Sequence, residues 1–365
     1  MSDLKDTRKK INEIDEQMAK LFEERMLCSK EVAEYKIKHA MPIYDSTREQ
    51  EVINNNSKHI QNDEIKEHYV NFLKQTMDIS KKYQSRLIEG MRVGYSGVEG
   101  AFAHIAAMKM FPNANYIAYS SFEEAYKAVE LGHCDTCVLP LENSYAGDVG
   151  LVMDLIFSGS LYINQVVELE VVHNLLAKKG TSINEIKKVV SHQQALGQCR
   201  DYLNEKNFEL IDASNTALAA KLVSESDDDS LAAIASIETA ELFGLEVLEK
   251  AINSSHNNTT RFGAFSRCLS SSETKGKMGE HFILVFTVKN EAGALAKTLN
   301  IIGSHGFNMR NLRSRPMKEL IWNYYFYVEL DGDINSNDGK EMMRALNIFC
   351  DKLKLVGTYS FKIEK

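Results

Sequence analysis

A chain of 365 residues exceeds one ordinary hydrophobic core and, at ~100–200 residues per domain, divides into two or three. With 44% hydrophobic and 26% charged residues it has the make-up of a water-soluble globular protein, and its net charge of −8 argues against a nucleic-acid-binding surface spread over the molecule. The first ten residues have no apolar core behind their basic side chains, and no stretch of about 18 apolar residues occurs, so neither signal peptide nor membrane span is expected and a cytoplasmic location is the default.

Six scattered cysteines read as reduced thiols. Cys134 and Cys137 have the C-x-x-C spacing of redox and zinc sites, but with no second pair or close histidines they are expected to be structural, and no metal is expected.

Leu4 to Lys38 contain no Gly or Pro and carry apolar residues at Ile11, Ile14, Met18, Leu21, Cys28, Val32 and Tyr35, the stepping of one long amphipathic helix. Arg25 fills the gap in that row, and Lys36, about three turns on, returns to nearly the same side. Long basic side chains can run along a core and reach water. No acidic residue interrupts the row, however, and buried cations need anionic partners, which points to an anionic ligand. After Pro42 a second helix puts Asp45 and Glu49 on one face, and a third, over 64–88, does the same for Ser80 and Gln84.

Arg8, Arg25, Lys36, Asp45, Arg48, Glu49, Ser80 and Gln84, with Arg-Lys-Lys-Ile before the helix and Asp-x-x-Arg-Glu after the proline, resemble the active-site set of the all-helical chorismate mutases. The resemblance implies a domain over residues 1–88, a first helix shared between interlocked subunits, and Arg8 serving the partner's site. It further implies that Arg8 and Arg25 clamp substrate carboxylates, that Lys36 and Gln84 face the ether oxygen, and that Glu49 holds the ring hydroxyl. Asp45, Arg48 and Ser80 complete the binding set. Such a site folds a flexible dicarboxylate into its reactive shape and stabilises charge on the breaking bond, without covalent participation or a cofactor.

From Met91 the pattern changes to alternating strands and helices. Gly94, Gly97 and Gly100 form G-x-x-G-x-x-G, whereas a dinucleotide fingerprint needs G-x-G-x-x-G. Four polar clusters follow: Pro140 to Ser144, Ser191 to Cys199, Asn215 to Ala217, and Asn258 to Phe262. Each alone could simply cap a helix.

Together, through Pro-x-Glu-Asn-Ser, Ser-His-x-Gln-Ala and Thr-Arg-Phe, they resemble prephenate dehydratase over residues 91–268. That implies a two-lobed α/β domain like the periplasmic binding proteins, with Glu142, Asn143, Ser191, Gln198, Thr260 and Arg261 lining the cleft beside Ser144. Thr260 is the implied proton donor to the departing hydroxyl and Arg261 the partner of a substrate carboxylate. Gln193 and His104 depart from the family pattern. His192 is read either as an orienting residue or as a direct participant. His59, His68, His133 and His305 show no ligand spacing and are expected at the surface or in packing.

Residues 270–279 read as a polar linker. Beyond it, strands over 282–288, 322–330 and 357–363 and helices over 292–304 and 338–352 resemble an α+β ACT domain, βαββαβ, spanning 280–365. The resemblance implies an effector site at Asn290, Ala292, Gly293, Ala294 and Leu295 with Ser314, Arg315 and Pro316, taking L-phenylalanine between paired subunits. Arg313 stands where that family has Glu, which reverses a charge. The expectation is thus a multidomain bifunctional enzyme of phenylalanine biosynthesis, at least a homodimer, binding chorismate, prephenate and L-phenylalanine, with neither nucleic acid nor membrane as partner. The alternatives are a ligand sensor with a two-lobed domain and a mutase fused to a nicotinamide-dependent prephenate dehydrogenase.

Overall fold

The computed structural model describes residues 4–39, 41–255, 257–269, 280–317 and 323–360. The expected linker, the start of the strand expected from Trp322 and the end of the strand expected to close at Ile363 lie outside them. The chain forms two compact units, Met1–Met91 and Arg92–Lys365.

The first unit is helical. Helix α1 (Leu4–His39), 36 residues without Gly or Pro, is about 54 Å long. Asp45 caps α2 (Ser46–Ser57) by accepting from the backbone N–H of Arg48 at 3.0 Å, and Asn62 caps α3 (Asp63–Glu89) in the same way. The face that α1 turns to α3 is Arg25, Ser29, Ala33 and Lys36. The apolar row expected there, Ile11, Ile14, Met18, Leu21, Cys28, Val32 and Tyr35, is exposed in the single chain. Steps of three and four along that row average below 3.6 residues, so it drifts around the helix away from the line 25–29–33–36.

The second unit begins with a mixed sheet built from β1 (Arg92–Ser96), α4 (Phe102–Met110), β2 (Asn115–Tyr119), α5 (Phe122–Glu130), β3 (Thr136–Asn143), β4 (Gly147–Asp148), α6 (Gly150–Ser158) and β5 (Tyr162–Glu170). The chain then crosses into a five-stranded sheet made by β6 (Asn174–Ala177), β7 (Lys188–Ser191), α7 (Gln193–Gln198), α8 (Arg200–Lys206), β8 (Glu209–Asp212), α9 (Thr216–Glu225), β9 (Leu231–Ala235), α10 (Ile237–Phe243) and β10 (Glu246–Glu249). It returns through β11 (Thr259–Ser266), which inserts antiparallel between β3 and β5. Each sheet has its own apolar core, around Leu139, Ile156 and Phe265 in the first and around Leu175, Val189 and Ile234 in the second.

The last segment runs β12 (Glu280–Thr287), α11 (Ala294–Ser304), β13 (Met309–Pro316), β14 (Tyr324–Asp331), α12 (Asn337–Phe349) and β15 (Lys352–Ser360), a βαββαβ order. Strand β13 is polar and half exposed, which hid it from the sequence pattern. The four strands lie in the order β13-β14-β12-β15, and β15 joins β5 through the parallel pair Gly357–Ile163, extending the first sheet to ten strands. A Cβ at Gly357 would collide with the backbone carbonyl of Ile163, so glycine is what lets the two strands meet.

Cys134 and Cys137 are buried, and burial pushes both thiols up, in keeping with a packing role. No described helix is long and apolar enough to cross a membrane.

Candidate functional site

In the helical unit, α1 and α3 bring two cations onto two polar side chains. Arg25 donates to Ser80 Oγ and, at 3.4 Å, to the carbonyl of Thr76. Lys36 Nζ donates to Gln84 Oε1 at 3.3 Å and to the carbonyl of Ile43 at 2.6 Å. Ser80 and Gln84 are buried, and burial lowers the pKa of Arg25. All four of these acceptors are neutral. They satisfy hydrogen-bonding geometry but leave the positive charge of both groups uncompensated.

The rest of that set is placed differently. Arg8 is exposed near the start of α1, and Asp45 acts as a helix cap. Arg48 pairs with Glu51 at the surface. Glu49 is held by Lys81 at 2.7 Å, a cation the sequence reading passed over because it lies outside the motif.

In the second unit, strand alternation sorts the expected residues into two groups. Asn143 and Thr260 face each other across the β3–β11 ladder, and Glu142 and Arg261 form the next pair, on the opposite face. The first pair starts a polar chain. Asn143 Oδ1 accepts from the backbone N–H groups of Tyr145 and Ala146, at 3.0 and 2.8 Å. Its Nδ2 therefore donates, to Thr260 Oγ1 at 2.9 Å and to Asn258 Oδ1 at 2.8 Å. Asn258 Nδ2 in turn donates to Gln198 Oε1 at 3.0 Å.

Gln198 and Asn258 line a cavity of about 280 Å³ together with Ser144, Tyr145, Asn253 and Asn257. Thr260 is buried behind this wall, one hydrogen bond from Asn143.

Of the residues expected along the cleft, Gln198 and Ser144 line this cavity, whereas Asn143, Thr260, Ser191, Glu142 and Arg261 do not. Arg261 donates to Glu142 at 2.7 Å, to both oxygens of Glu329 on β14 and to Tyr359 on β15. Arg313 on β13 reaches Glu142 and Asp148. Burial works against the charge of Glu142, but the two arginines outweigh it and hold its carboxyl below the usual range. Burial likewise opposes the charge on Arg261, and Glu329 outweighs it and raises the pKa. The two-residue period of a strand puts Glu142 and Arg261 on the opposite face from Asn143 and Thr260, since neighbours in sequence cannot share a face.

Other expected residues carry structural bonds. Ser191 donates to the carbonyl of Ile234 at 2.7 Å inside the second sheet. Ser144 donates to Asn257 O and accepts from Thr259 N–H, tying the end of β3 to the loop before β11. His192 caps α7 through Nδ1, and Asn215 caps α9. His104 Nδ1 accepts from the N–H of Gly100, where φ is +83°.

Gly293 caps α11 in the left-handed conformation. Arg315 turns toward Asp154 at 3.3 Å, whereas Ser314 and Pro316 are exposed on the other side of β13. Among the described residues no group of His, Cys, Asp and Glu could hold a metal.

Asn258 stood in the last polar cluster without a role of its own, and nothing in the sequence pattern singled out His173, Glu329 or Tyr359. Asn258 directly precedes the Thr-Thr-Arg-Phe motif, which was a usable signal. Glu329 lies between apolar Val328 and Leu330 and Tyr359 between Thr358 and Ser360, and the fold brings both to Arg261.

The prephenate dehydratase family model matches residues 93–268, and the chorismate mutase type II model matches residues 7–85. A bifunctional chorismate mutase/prephenate dehydratase of Aquifex aeolicus is 30% identical over 98% of both chains. The enzyme of the same name from Neisseria gonorrhoeae is 35% identical over 74% of each. The crystal structure of prephenate dehydratase from Arthrobacter aurescens in complex with L-Phe is 26% identical, with a TM-score of 0.68, covering 75% of this chain and 91% of that one.

Proposed function

The chain belongs to the bifunctional chorismate mutase/prephenate dehydratase family, and from that premise we propose how its residues divide the two reactions. It converts chorismate to prephenate and prephenate to phenylpyruvate on the way to L-phenylalanine.

For the rearrangement, Arg25 takes a substrate carboxylate, supplying the anion its present partners lack. Lys36 has three donors, two of them engaged by Gln84 and Ile43, and turns the third to the ether oxygen. Gln84 adds its amide N–H, and Glu49, oriented by Lys81, holds the ring hydroxyl. Ser80 keeps Arg25 in place, and Asp45 and Arg48 shape the start of α2. Arg8 serves the site of a second subunit. The exposed apolar row of α1 supports that reading, since a contiguous patch of this kind marks an interface, and makes a homodimer the minimum assembly.

For the dehydration, Thr260 donates to the departing hydroxyl, which leaves as water while the bond from the ring to its carboxylate breaks, its electrons entering the ring and the carboxylate departing as carbon dioxide. The observation that carries this assignment is the polarity of Asn143. Two backbone N–H groups hold its oxygen, so its nitrogen must donate to Thr260, and the hydroxyl proton of Thr260 is left to point at substrate. Gln198 lines the cavity as a further donor, and Ser144 and Ser191 support the walls. Glu142 and Arg261 act from behind the strands. The residue boundaries follow as 1–88 for the mutase, 91–268 for a dehydratase of two binding-protein-like lobes, 270–279 for a linker and 280–365 for an ACT regulatory domain. L-Phenylalanine is the proposed effector, at Asn290 to Leu295 and Ser314 to Pro316, and the location is cytoplasmic.

The test supplies chorismate with and without a nicotinamide cofactor and identifies the product. Cofactor-independent phenylpyruvate supports the reading, a cofactor-dependent hydroxylated product supports a dehydrogenase, and unchanged chorismate supports a sensor.

A further inference from the structure

The oxygen of Gln198 has a second donor besides Asn258. His173 Nε2 lies 2.8 Å from Gln198 Oε1. His173 sits where the chain crosses from β5 to β6, and the backbone there is tied on both sides. Its N–H donates to Asn253 Oδ1 at 2.7 Å, its carbonyl accepts from Ile252 N–H at 2.9 Å, and its ring meets the edge of Phe102. The side chain is 2% exposed.

The polarity of the whole chain is fixed from its far end. The N–H groups of Tyr145 and Ala146 can only donate, so the oxygen of Asn143 faces them and its nitrogen faces Asn258. Asn258 must then present oxygen to Asn143 and nitrogen to Gln198. Gln198 Oε1 is thereby an acceptor toward both neighbours, and the ring nitrogen opposite it must carry a hydrogen. Burial lowers the pKa of His173, which favours the neutral ring. The remaining nitrogen, Nδ1, is buried without a hydrogen-bond partner, so nothing described competes for the ring's orientation toward Gln198.

We propose that His173 is a positioning residue for the dehydration. As its Nε2–H tautomer it closes, with Asn258, a two-donor clamp on Gln198 Oε1 that turns the amide N–H groups of Gln198 into the cavity. This rests on the role assigned to Gln198 in the preceding section. The clamp joins three parts of the fold that are far apart in sequence: the crossover at His173, helix α7 at Gln198 and the loop before β11 at Asn258. Without it the amide can rotate and present oxygen, an acceptor, to an anionic substrate.

The test compares His173→Gln with His173→Asn in the full chain. Both replacements are neutral amides. Glutamine places its nitrogen where Nε2 stood and can still donate to Gln198, whereas asparagine places its nitrogen at the Nδ1 position and cannot. The expected result is a dehydratase kcat about tenfold or more higher in His173→Gln than in His173→Asn, the size of one buried hydrogen bond. On a Gln198→Leu background the difference between the two variants should vanish. Equal rates for the two single variants, or a difference that survives on that background, overturn the proposal while leaving the site intact. A Gln198→Leu enzyme with undiminished dehydratase activity instead overturns the role given to Gln198 itself. Thermal unfolding of each variant accompanies the rates, and a variant that melts at the wild-type temperature yet loses rate supports positioning.

Discussion

Arg261 grips Glu329 with both arms of its guanidinium, Nη1 to Oε2 at 3.0 Å and Nη2 to Oε1 at 2.9 Å, across the boundary between the dehydratase sheet and the βαββαβ segment. Glu329 is fully buried. Its removal takes from Arg261 the carboxylate that meets both arms and leaves the buried guanidinium to the partly exposed Glu142 and Glu168, so Glu329→Ala should cost about 3 kcal/mol, seen as a thermal midpoint lower by several degrees. Because Arg261 is the chain neighbour of Thr260, dehydratase turnover should fall as well, while mutase turnover holds. An unchanged melting temperature would sink this reading.

Lys36→Ala removes the donor proposed for the breaking ether bond. We expect a loss of several kcal/mol in transition-state stabilisation, on the order of 10²-fold or more in mutase kcat. Prephenate supplied directly should still be dehydrated at the normal rate. Near-normal rearrangement would defeat the assignment.

Thr260→Val keeps the shape of the side chain and deletes its hydroxyl. Dehydratase turnover should drop by orders of magnitude with mutase turnover retained. Equal loss of both activities would point to misfolding.

Three histidines of the second unit, His104, His173 and His281, are 5% exposed or less, and burial lowers the pKa of each. Unfolded, they titrate near 6.5. As pH falls through that value the unfolded chain takes up protons that the folded chain refuses, so stability declines with acidification. Glu142, whose carboxyl is held below its usual value, adds a stabilisation that is present above about 4.5 and lost below it. The unfolding midpoint of this unit should therefore fall steadily between pH about 7.5 and about 5.5, well before the carboxylates titrate. A flat profile over that range would contradict it.

Phenylalanine titration addresses the last segment. Arg313, where the ACT resemblance implies a glutamate, is already engaged by Glu142 and Asp148. Feedback through this segment predicts that saturating phenylalanine changes dehydratase rate or oligomer size, since the same arginine contacts the strand that carries Asn143. No change in either measurement would remove phenylalanine as the effector.

The motifs were readable in the sequence because each couples a strand end or helix turn to polar residues at fixed spacing. Arg25 with Ser80 and Lys36 with Gln84 came together as the helical period requires. What escaped was whatever depends on parity or on distant partners. Glu142 and Arg261 were grouped with their neighbours Asn143 and Thr260, although a strand sends adjacent side chains opposite ways. His173, between Val172 and Asn174, carries no local mark of its contact with Gln198. The row on α1 has the spacing of a packed face yet is exposed in the single chain, because periodicity reports that a face is apolar, not what covers it.

The alternation along β11 makes this enzyme sensitive to register in an unusual way. Inserting or deleting one residue within the strand would flip its side chains, turning the Arg261 guanidinium to the face of Asn143 and the Thr260 hydroxyl to the charged brace. The polar chain and the charged brace would exchange sides in one step, so the loops around this strand can lengthen far more freely than the strand itself can shift.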